Sequence, residues 1–178
     1  GLPYRWIFLL GASALSILLV VLYWNYLLNR KVNDRTRLLE HRALHDALTD
    51  LPNRTAILAQ MEHLIALAKR KSCLLAVLFL DLDDFKKIND TLGHRVGDHL
   101  LLAVSNRLRQ TLRQSDIIGR FGGDEFVIVI DQVDTIEDIN HIARHILGEM
   151  KQGFELENQA LMVTTSIGIA MFPSDSQS

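Results

Sequence analysis

The stretch FGGDEF, residues 121–126, places two glycines and two acidic residues between apolar neighbours. The flanking runs, 117–121 and 126–130, predict two strands, and Gly-Gly supplies the positive φ angles that a tight hairpin between them requires. Two explanations are open for the adjacent carboxylates of Asp124 and Glu125. They are the charged tip of an ordinary solvated hairpin, or they belong to a metal site.

A second acidic stretch, LDLDDFKKIND at residues 80–90, follows an apolar run that predicts a buried strand at 74–80. If this strand neighbours the hairpin, Asp81 meets Asp124 and Glu125 at one edge of the sheet. Carboxylates that close repel one another unless a cation is present, and Mg²⁺ prefers one or two carboxylates plus phosphate oxygens and water. The alternative for this stretch is a helix start with acidic residues in its first turn.

Strands and helices alternate along the chain after residue 54. The apolar spacing predicts helices at 55–70, 83–91, 97–113 and 135–151, and strands at 74–80, 117–121, 126–130 and 161–172. This order predicts an α+β fold in which helices pack on a mixed sheet. Lys86 lies near the start of the second helix, where it and the free N–H groups of the helix could reach a phosphate.

The segment before this domain is different in character. Residues 6–28 contain no charged residue, and about 20 apolar residues suffice for a helix to cross a bilayer. A buried core helix is the alternative. The basic residues after residue 28 place that side in the cytoplasm by the positive-inside rule. We therefore predict an extracytoplasmic flank at 1–5, a transmembrane helix at 6–28, a juxtamembrane helical linker at 29–45 and a domain at 46–178.

Composition narrows the class of protein. A net charge of −2 provides no basic field for nucleic acid, so we expect no nucleic-acid partner. The single cysteine, Cys73, excludes an internal disulfide and fits a reducing compartment. The chain begins at Gly1 without a methionine and ends in a loop-like segment, 172–178. We expect it to be cut at both ends.

Four blocks in order carry a resemblance to a known family: DALTDLPNR at 46–54, DLDDFKKIND at 81–90, GHRVGD at 93–98 and RFGGDEF at 120–126. From about residue 46 to 173 the chain resembles a GGDEF domain, the catalytic module of diguanylate cyclases. One departure is Asp50, where the family often has glycine. The resemblance implies a palm-like α+β fold, and a further helix after the Phe-Pro turn that would make this domain C-terminally incomplete.

The resemblance also implies catalytic and metal-binding roles. Asp81 and Asp124 would bind Mg²⁺, or Mn²⁺, through their carboxylates, and Leu82 through its main-chain carbonyl. Lys86 would hold a phosphate and stabilise charge in the transition state. Glu125, with Asp124, would help to activate the ribose 3′-hydroxyl.

The resemblance assigns substrate contacts to other residues of the same blocks. Asn89 and Asp98 would read the guanine edge, and His94 would lie beside the substrate. Gly122 and Gly123 would leave room for the phosphates, because side chains there would occupy that space.

The sequence Arg113-Gln114-Ser115-Asp116 matches the family's R-x-x-D product-inhibition site in type and placement. The resemblance implies that Arg113 and Asp116 bind the product and that Arg144 adds a secondary contact. The alternative is an arginine at a helix C-terminus, favoured by the helix dipole, followed by a loop aspartate.

Together these features predict a homodimeric diguanylate cyclase at the bacterial inner membrane, with its GGDEF domain in the cytoplasm. It would condense two GTP into cyclic di-GMP and two pyrophosphates, with cyclic di-GMP as feedback ligand. Two alternatives stay open. One is a GTP-binding regulatory module for a phosphodiesterase domain, and the other is a non-enzymatic membrane receptor segment that only dimerises.

Overall fold

The computed structural model describes residues 4–157 and 159–175 of the chain; it leaves undescribed the side chains of residues 4–8, 10–18, 20, 33, 34, 37, 38 and 132. The chain divides into two compact units, Gly1–Ala43 and Leu44–Ser178. A single helix, α1 (Tyr4–Leu44), runs through the first unit. Among the described residues, no helix is both long enough and apolar enough to cross a membrane. The helix predicted across 6–45 is present, but its assignment as a membrane span at 6–28 gains no support.

The second unit contains helices and strands close to those that the sequence predicts. The helices are α2 (Arg54–Lys71), α3 (Phe85–Leu92), α4 (His94–Thr111) and α5 (Ile136–Met150), and the strands are β1 (Leu74–Leu82), β2 (Ile117–Gly122), β3 (Glu125–Val133), β4 (Phe154–Leu156), β5 (Gln159–Leu161) and β6 (Thr165–Phe172).

Two predictions of element boundaries were wrong. The helix predicted from 97 begins at His94, directly after α3, because Gly93 with φ of 87° serves as the cap of both helices. The strand predicted at 161–172 is two strands, since residues between Leu161 and Thr165 leave the extended ladder. In addition, β4 was not predicted, and it pairs with β5 in a separate two-stranded sheet.

The main sheet has the strand order β2-β3-β1-β6, and all three of its ladders are antiparallel. The hairpin strand β3 lies between β1 and β2, so the helical connection from β1 to β2 passes over it. The sequence predicts a mixed sheet. In the described part of the chain, the parallel pairing is a single bridge between Asn53 and Arg120.

The central strand β1 is fully buried on one face and partly buried on the other, where Phe79 is 36% exposed, whereas its uninterrupted apolar sequence predicts burial on both faces. On one face, Ala76, Leu78 and Leu80 join a core with residues of α4 and α5. On the other, Leu75 and Val77 pack in a second cluster with residues of α2. Helices α4 and α5 therefore cover one face of the sheet, and α2 covers the part of the other face formed by β2, β3 and the start of β1.

The strand that the sequence did not indicate, β4, is held by a contact between distant residues. The guanidinium of Arg107, on α4, lies 3.7 Å from the centre of the Phe154 ring. It also donates hydrogen bonds to the main-chain carbonyls of Glu149 (3.1 Å), Gln152 and Gly153 (3.0 Å). These carbonyls follow or end α5, where carbonyls lack partners within the helix, although that of Glu149 also accepts a hydrogen bond from the amide of Gln152 at 3.1 Å. No local sequence pattern indicates this contact between Arg107 and Phe154.

Helix α2 approaches the sheet closely because β2 has a glycine beneath it. A Cβ atom added to Gly119 would lie 2.2 Å from Cγ1 of Ile57 and 2.7 Å from the carbonyl oxygen of Pro52. The helix is also fixed at its start, where the Asn53 side chain accepts a hydrogen bond from the amide of Ala56 at 3.1 Å.

We expect Gly119→Ala to lower the free energy of unfolding by about 1–3 kcal/mol, because the methyl group overpacks the contact between α2 and β2. The measurement is urea unfolding followed by circular dichroism. Gly148→Ala is the matched control, since a Cβ at Gly148 meets no atom within 4 Å. It should raise the stability by about 0.5–1 kcal/mol, as alanine does in a helix interior. Equal effects of the two substitutions would contradict the close approach.

Candidate active site

The register of β1 and β3 brings the predicted carboxylates together. Asp81 lies directly opposite Glu125 in the ladder, and Asp124 is the next residue along the chain. Burial raises the pKa of Asp81, and the negative charges of Asp124 and Asp83 raise it further. The condition for this convergence, that the first strand neighbours the hairpin, is met. Among the described residues, no Lys or Arg side chain forms an ion pair with Asp81, Asp124 or Glu125.

The two acids at the end of β1 have different environments. The side chain of Asp83 accepts hydrogen bonds from the hydroxyls of Thr164 and Ser166 (the latter at 2.8 Å), which lower its pKa against a small opposing effect of burial. Its amide also bonds to the carbonyl of Thr164 at 3.0 Å. Asp83 is therefore tied to the segment leading into β6, while the carboxylate of Asp81 faces other acids.

The turn between β2 and β3 leaves open space beside the carboxylates. Gly123 has a φ of 52°, a conformation that glycine adopts without strain. A Cβ atom added to Gly122 or to Gly123 would meet no atom within 4 Å. The space next to this turn is free for a ligand, as the roles predicted for these two glycines require.

The predicted substrate residues lie where α3 meets α4. A Cβ on Gly97 would lie 1.9 Å from Oδ1 of Asn89, so the Asn89 side chain packs directly against the first turn of α4. Asp98, the next residue after Gly97, is exposed, as is His94 at the start of the helix. The structure thus brings Asn89 to the same helix turn as Asp98. Lys86 is exposed in the first turn of α3, two residues beyond Asp84.

A cavity of about 550 Å³ lies on another side of α3. Helix residues Lys87, Ile88, Thr91 and Leu92 line it, whereas Lys86 and Asn89 do not. No residue of the Gly-Gly turn lines it either. Asp83 and Asp84, directly after β1, also line the cavity, so it adjoins the acidic edge but lies away from Asn89 and the Gly-Gly turn.

Sequence reasoning missed the residue that fixes the turn. Arg120 donates from Nε and Nη2 to the carbonyl oxygen of Gly123 at 3.0 and 2.7 Å, and from Nη1 to Oδ1 of Asp46 at 2.9 Å. The side chains of Arg120 and Asp46 are 13% and 23% exposed, so this ion pair is shielded from water to a degree that surface pairs are not. The signal was available, because both residues belong to the sequence blocks at 46–54 and 120–126.

The carboxylate of Asp46 accepts several hydrogen bonds from groups of the protein. Burial alone would raise its pKa, but hydrogen bonds from the Thr49 hydroxyl (2.7 Å) and amide (2.8 Å), together with the bond and charge of Arg120, hold the pKa below its usual value. Arg109, on α4, also contacts this loop, because its guanidinium donates a hydrogen bond to the carbonyl of Asp50 at 3.0 Å. The loop before α2 is thus joined to the hairpin turn through one arginine.

In residues 4–157 and 159–175, no group of three or more His, Cys, Asp or Glu side chains is arranged to hold a metal ion. The predicted ligand set contains only two carboxylates, those of Asp81 and Asp124. Its third ligand is the main-chain carbonyl of Leu82, the last residue of β1. Because Mg²⁺ commonly takes its other ligands from phosphate and water, this set fits the ion. Burial is the main cause of the raised pKa of Asp81, and the charges of Asp124 and Asp83, which raise it further, are negative charge that a divalent cation would offset.

The residues predicted for product inhibition lie away from this edge, in the turn between α4 and β2. The amide of Arg113 donates to Oδ2 of Asp116 at 2.9 Å, and the amide of Asp116 donates to the carbonyl of Arg113 at 3.0 Å. Both residues line a cavity with His141 and His145 of α5. Arg144, the predicted secondary contact, is exposed and does not line that cavity.

We expect Arg120→Met to lower the free energy of unfolding by about 1.5–3 kcal/mol, the usual range for hydrogen bonds to a charged group. Arg109→Met is the matched control, because it loosens the same loop without touching the Gly123 carbonyl. GTP affinity, measured by calorimetry, should fall in Arg120→Met and not in Arg109→Met. Equal GTP affinities in the two variants would contradict a role of Arg120 in shaping the turn.

The ion pair should also be visible in the pH dependence of stability. The pKa of Asp46 is lower in the folded chain than in the unfolded chain, so its contribution to stability is fully present above about pH 4 and is lost as the pH falls from there through the lower pKa of the folded chain. Unfolding measured between pH 6 and 3 should therefore show a smaller loss of stability in Arg120→Met than in the parent chain. A steeper loss in the variant would contradict the assignment.

We expect Asp81→Asn to raise the melting temperature in metal-free buffer at pH 7. The pKa of Asp81 is raised on folding, so its ionised form at neutral pH costs stability, which the neutral amide avoids. Thermal unfolding with a chelator present is the measurement, and exposed Glu62→Gln on α2 is the control. A lower melting temperature for Asp81→Asn would show that this carboxylate is already compensated within the protein.

Comparison with known proteins agrees with the fold and with the sequence blocks. The family model described as diguanylate cyclase, GGDEF domain, matches residues 43–178. The bifunctional diguanylate cyclase/cyclic di-GMP phosphodiesterase MucR of Pseudomonas aeruginosa is 42% identical over 135 residues, which are 76% of this chain and 20% of that protein. Diguanylate cyclase TpbB of the same species is 38% identical over 144 residues, 80% of this chain and 33% of that protein. The chain thus spans between a fifth and a third of the length of these relatives.

Solved structures show the same similarity. The GGDEF domain of TpbB from Pseudomonas aeruginosa superimposes with a TM-score of 0.71 at 38% identity, covering 72% of this chain and 76% of that one. With the match over residues 43–178, these likenesses confirm the palm-like α+β fold that the four sequence blocks predict. The chain belongs to the GGDEF-domain family of diguanylate cyclases.

Proposed function

We propose that the GGDEF domain of this chain condenses two molecules of GTP into cyclic di-GMP, with release of two pyrophosphates. The observation that carries the proposal is the alignment of Asp81 with Glu125 across β1 and β3, with Asp124 close enough for its charge to raise the pKa of Asp81. The open Gly-Gly turn and the exposed Lys86 lie next to these acids in the chain. Diguanylate cyclases among the relatives support the reaction.

Asp81, Asp124 and the carbonyl of Leu82 would hold Mg²⁺ or Mn²⁺. When bound, such an ion supplies charge stabilisation for the phosphates in nucleotidyl transfer. The remaining contributions come from the chain itself. Lys86 contacts the phosphates at the start of α3, where the free helix N–H groups also favour negative charge. The space beside Gly122 and Gly123 accommodates the triphosphate.

The base binds where α3 meets α4. Guanine presents N–H donors and a carbonyl acceptor on one edge, which an amide and a carboxylate complement. Asn89 and Asp98 supply these groups, and Gly97 sets their separation by allowing the Asn89 side chain to lie against the helix. His94 flanks the same site at the first residue of α4.

Glu125 accepts the proton of the ribose 3′-hydroxyl, with Asp124 beside it. Its position opposite Asp81 puts it at the edge where the reacting phosphate would be held. Each domain provides one such edge and holds one GTP, so two copies of the chain must face each other for both bonds to form. The homodimer is part of the proposal for this reason.

Cyclic di-GMP is also the proposed feedback ligand, bound at Arg113 and Asp116. The GGDEF domain of DgcB from Caulobacter crescentus, 27% identical with a TM-score of 0.68 over 72% of this chain and 77% of that one, was solved in complex with c-di-GMP. The location proposed for the chain is the bacterial inner membrane, with this domain in the cytoplasm. That location rests on the sequence of residues 6–37.

The second candidate is a regulatory domain that binds GTP for a phosphodiesterase. The relative MucR is named for both activities, and this chain spans 20% of its length, which makes that arrangement relevant. The two candidates differ in turnover rather than in binding. A regulatory domain needs the nucleotide contacts of Asn89 and Asp98 but has no need of Glu125 as a base.

The test is incubation of the chain with GTP and Mg²⁺, followed by chromatographic separation of products with mass detection. We expect cyclic di-GMP and pyrophosphate from the parent chain and none from Asp124→Asn. Glu125→Gln should form product at least about a hundredfold more slowly, as loss of a general base predicts. Glu62→Gln, an exposed residue of α2, is the matched control and should be as active as the parent.

Two outcomes would contradict the cyclase proposal. If GTP binds but no product forms, the regulatory candidate is favoured. If Glu125→Gln and Glu62→Gln are equally active, the carboxylate edge is not where the reaction takes place.

A further inference from the structure

A single glycine separates the two helices that carry the side chains proposed to contact guanine. Asn89 belongs to α3 and Asp98 to α4, and Gly93 alone joins the two helices. Gly93 has a φ of 87°, and an added Cβ atom there would meet no atom within 4 Å. Because glycine permits many backbone conformations, the angle between the two helices depends on contacts away from this hinge.

The hairpin formed by β4 and β5 lies against both helices at this hinge. A small cavity of about 200 Å³ is lined by residues of α3, of α4 and of both hairpin strands, among them Leu92, Val96, Leu156 and Leu161. The start of the hairpin is attached to the other end of α4 through the contacts of Arg107. The hairpin is therefore placed to hold the two helices at a fixed angle.

Glu157, in the turn of the hairpin, contacts α4 with both of its carboxylate oxygens. Oε2 accepts a hydrogen bond from Nη2 of Arg95 at 2.9 Å, and Oε1 lies 3.1 Å from Nδ1 of His99. Arg95 and His99 are four residues apart, so they lie on one side of the helix. They directly follow His94 and Asp98 in the chain. A contact to two positions one turn apart restricts the rotation of the helix about its axis, and with it the direction in which Asp98 points.

The sequence at the start of α4 contains none of the usual groups that stabilise a helix N-terminus. Its N-cap is Gly93, which has no side chain to accept a hydrogen bond, and the first turn, residues 94–97, contains no acidic residue. The free N–H groups of a helix start favour a negative charge nearby. Glu157 brings such a charge to this turn from another part of the chain.

Neither the backbone of Glu157 nor the strength of its ion pairs explains this residue by stability alone. Its φ is 49°, in the left-handed region, where a hairpin turn favours Asn, Asp or Gly. The paired side chains are 77% exposed for Arg95, 44% for His99 and 34% for Glu157, and ion pairs that exposed contribute little to stability. What the glutamate provides is the orientation of α4.

We propose that Glu157 is a positioning residue for guanine recognition, which holds the start of α4 so that Asp98 lies at the correct distance from Asn89. The inference rests on the proposed function for the identity of the base. Glu157 acts through the helix rather than on the nucleotide. Guanine presents N1–H and an exocyclic amine on one edge, whereas hypoxanthine lacks the amine. A displaced Asp98 carboxylate therefore loses both affinity for guanine and preference for guanine over hypoxanthine.

The test is calorimetric titration of the chain, with Mg²⁺, against analogues of GTP and ITP that carry a methylene group between the α- and β-phosphates and so do not react. Glu157→Asn should weaken binding of the GTP analogue about fivefold and binding of the ITP analogue less. Its melting temperature should equal or exceed that of the parent, because asparagine tolerates a positive φ. A merely structural role predicts instead that stability and both affinities fall together, and that result would overturn the proposal.

A second substitution tests whether Glu157 acts through its partner on α4. Arg95→Gln should weaken binding of the GTP analogue in the parent chain and should have no further effect in Glu157→Asn, because the pair is already broken there. Equal effects of Arg95→Gln in the two backgrounds would overturn the proposal.

Glu155→Gln is the matched control, since Glu155 is an exposed acid of the same hairpin, and it should bind both analogues as the parent does. Asp98→Asn is the reference for the base site and should weaken the GTP analogue about tenfold. If Asp98→Asn has this effect and Glu157→Asn has none, the positioning role alone is overturned. If Asp98→Asn also binds as the parent does, the proposed base site is wrong and the inference falls with it. Because binding is measured without turnover, a chain that binds but makes no product would refute only the cyclase proposal.

Discussion

The pairing of β1 with β3 is the constraint on which the site depends. This ladder lies at the centre of the sheet, and its register sets Asp81 opposite Glu125. A slip of one residue would turn the whole apolar face of β1 away from its core and would move the acids apart at the same time. Packing and chemistry are therefore specified together, because the face of β1 that carries Ala76, Leu78 and Leu80 is fully buried.

Arg120 extends this constraint to the loop before α2. It holds the carbonyl of Gly123 and the carboxylate of Asp46 with three hydrogen bonds, and its own amide bonds to the carbonyl of Pro52 at 2.9 Å. The glycine turn has no side chains of its own to keep it in place. The partly buried side chain of Arg120 therefore fixes the turn, and the space beside Gly122 and Gly123 stays open.

Much of the fold could be predicted from periodicity, because the strands are continuously apolar and the helices have clear apolar faces. The predictions failed where the cause is not local. Nothing near β4 indicates that Arg107, more than 40 residues earlier, orders it by lying over Phe154. The position of β3 between β1 and β2 likewise depends on tertiary packing, which spacing along the chain does not encode.

The candidate site was predicted in part. The sequence brings the carboxylates at 81, 124 and 125 together only if the first strand neighbours the hairpin, and the structure shows that it does. Arg120 was overlooked although it belongs to the block at 120–126, because its partner Asp46 lies 74 residues earlier and only the folded chain shows the contact. His141 and His145 of α5 belong to none of the four sequence blocks, and only the folded chain shows that they line a cavity with Arg113.

The central claim is that the carboxylate edge between β1 and β3 holds a metal-bound GTP. The most direct measurement is a crystal structure of this chain with a non-hydrolysable GTP analogue and Mn²⁺, with the metal located by its anomalous scattering. The account predicts an anomalous peak between the carboxylates of Asp81 and Asp124, with the guanine against Asn89 and Asp98. A nucleotide in the 550 Å³ cavity on the other side of α3, or a metal remote from Asp81, would contradict it.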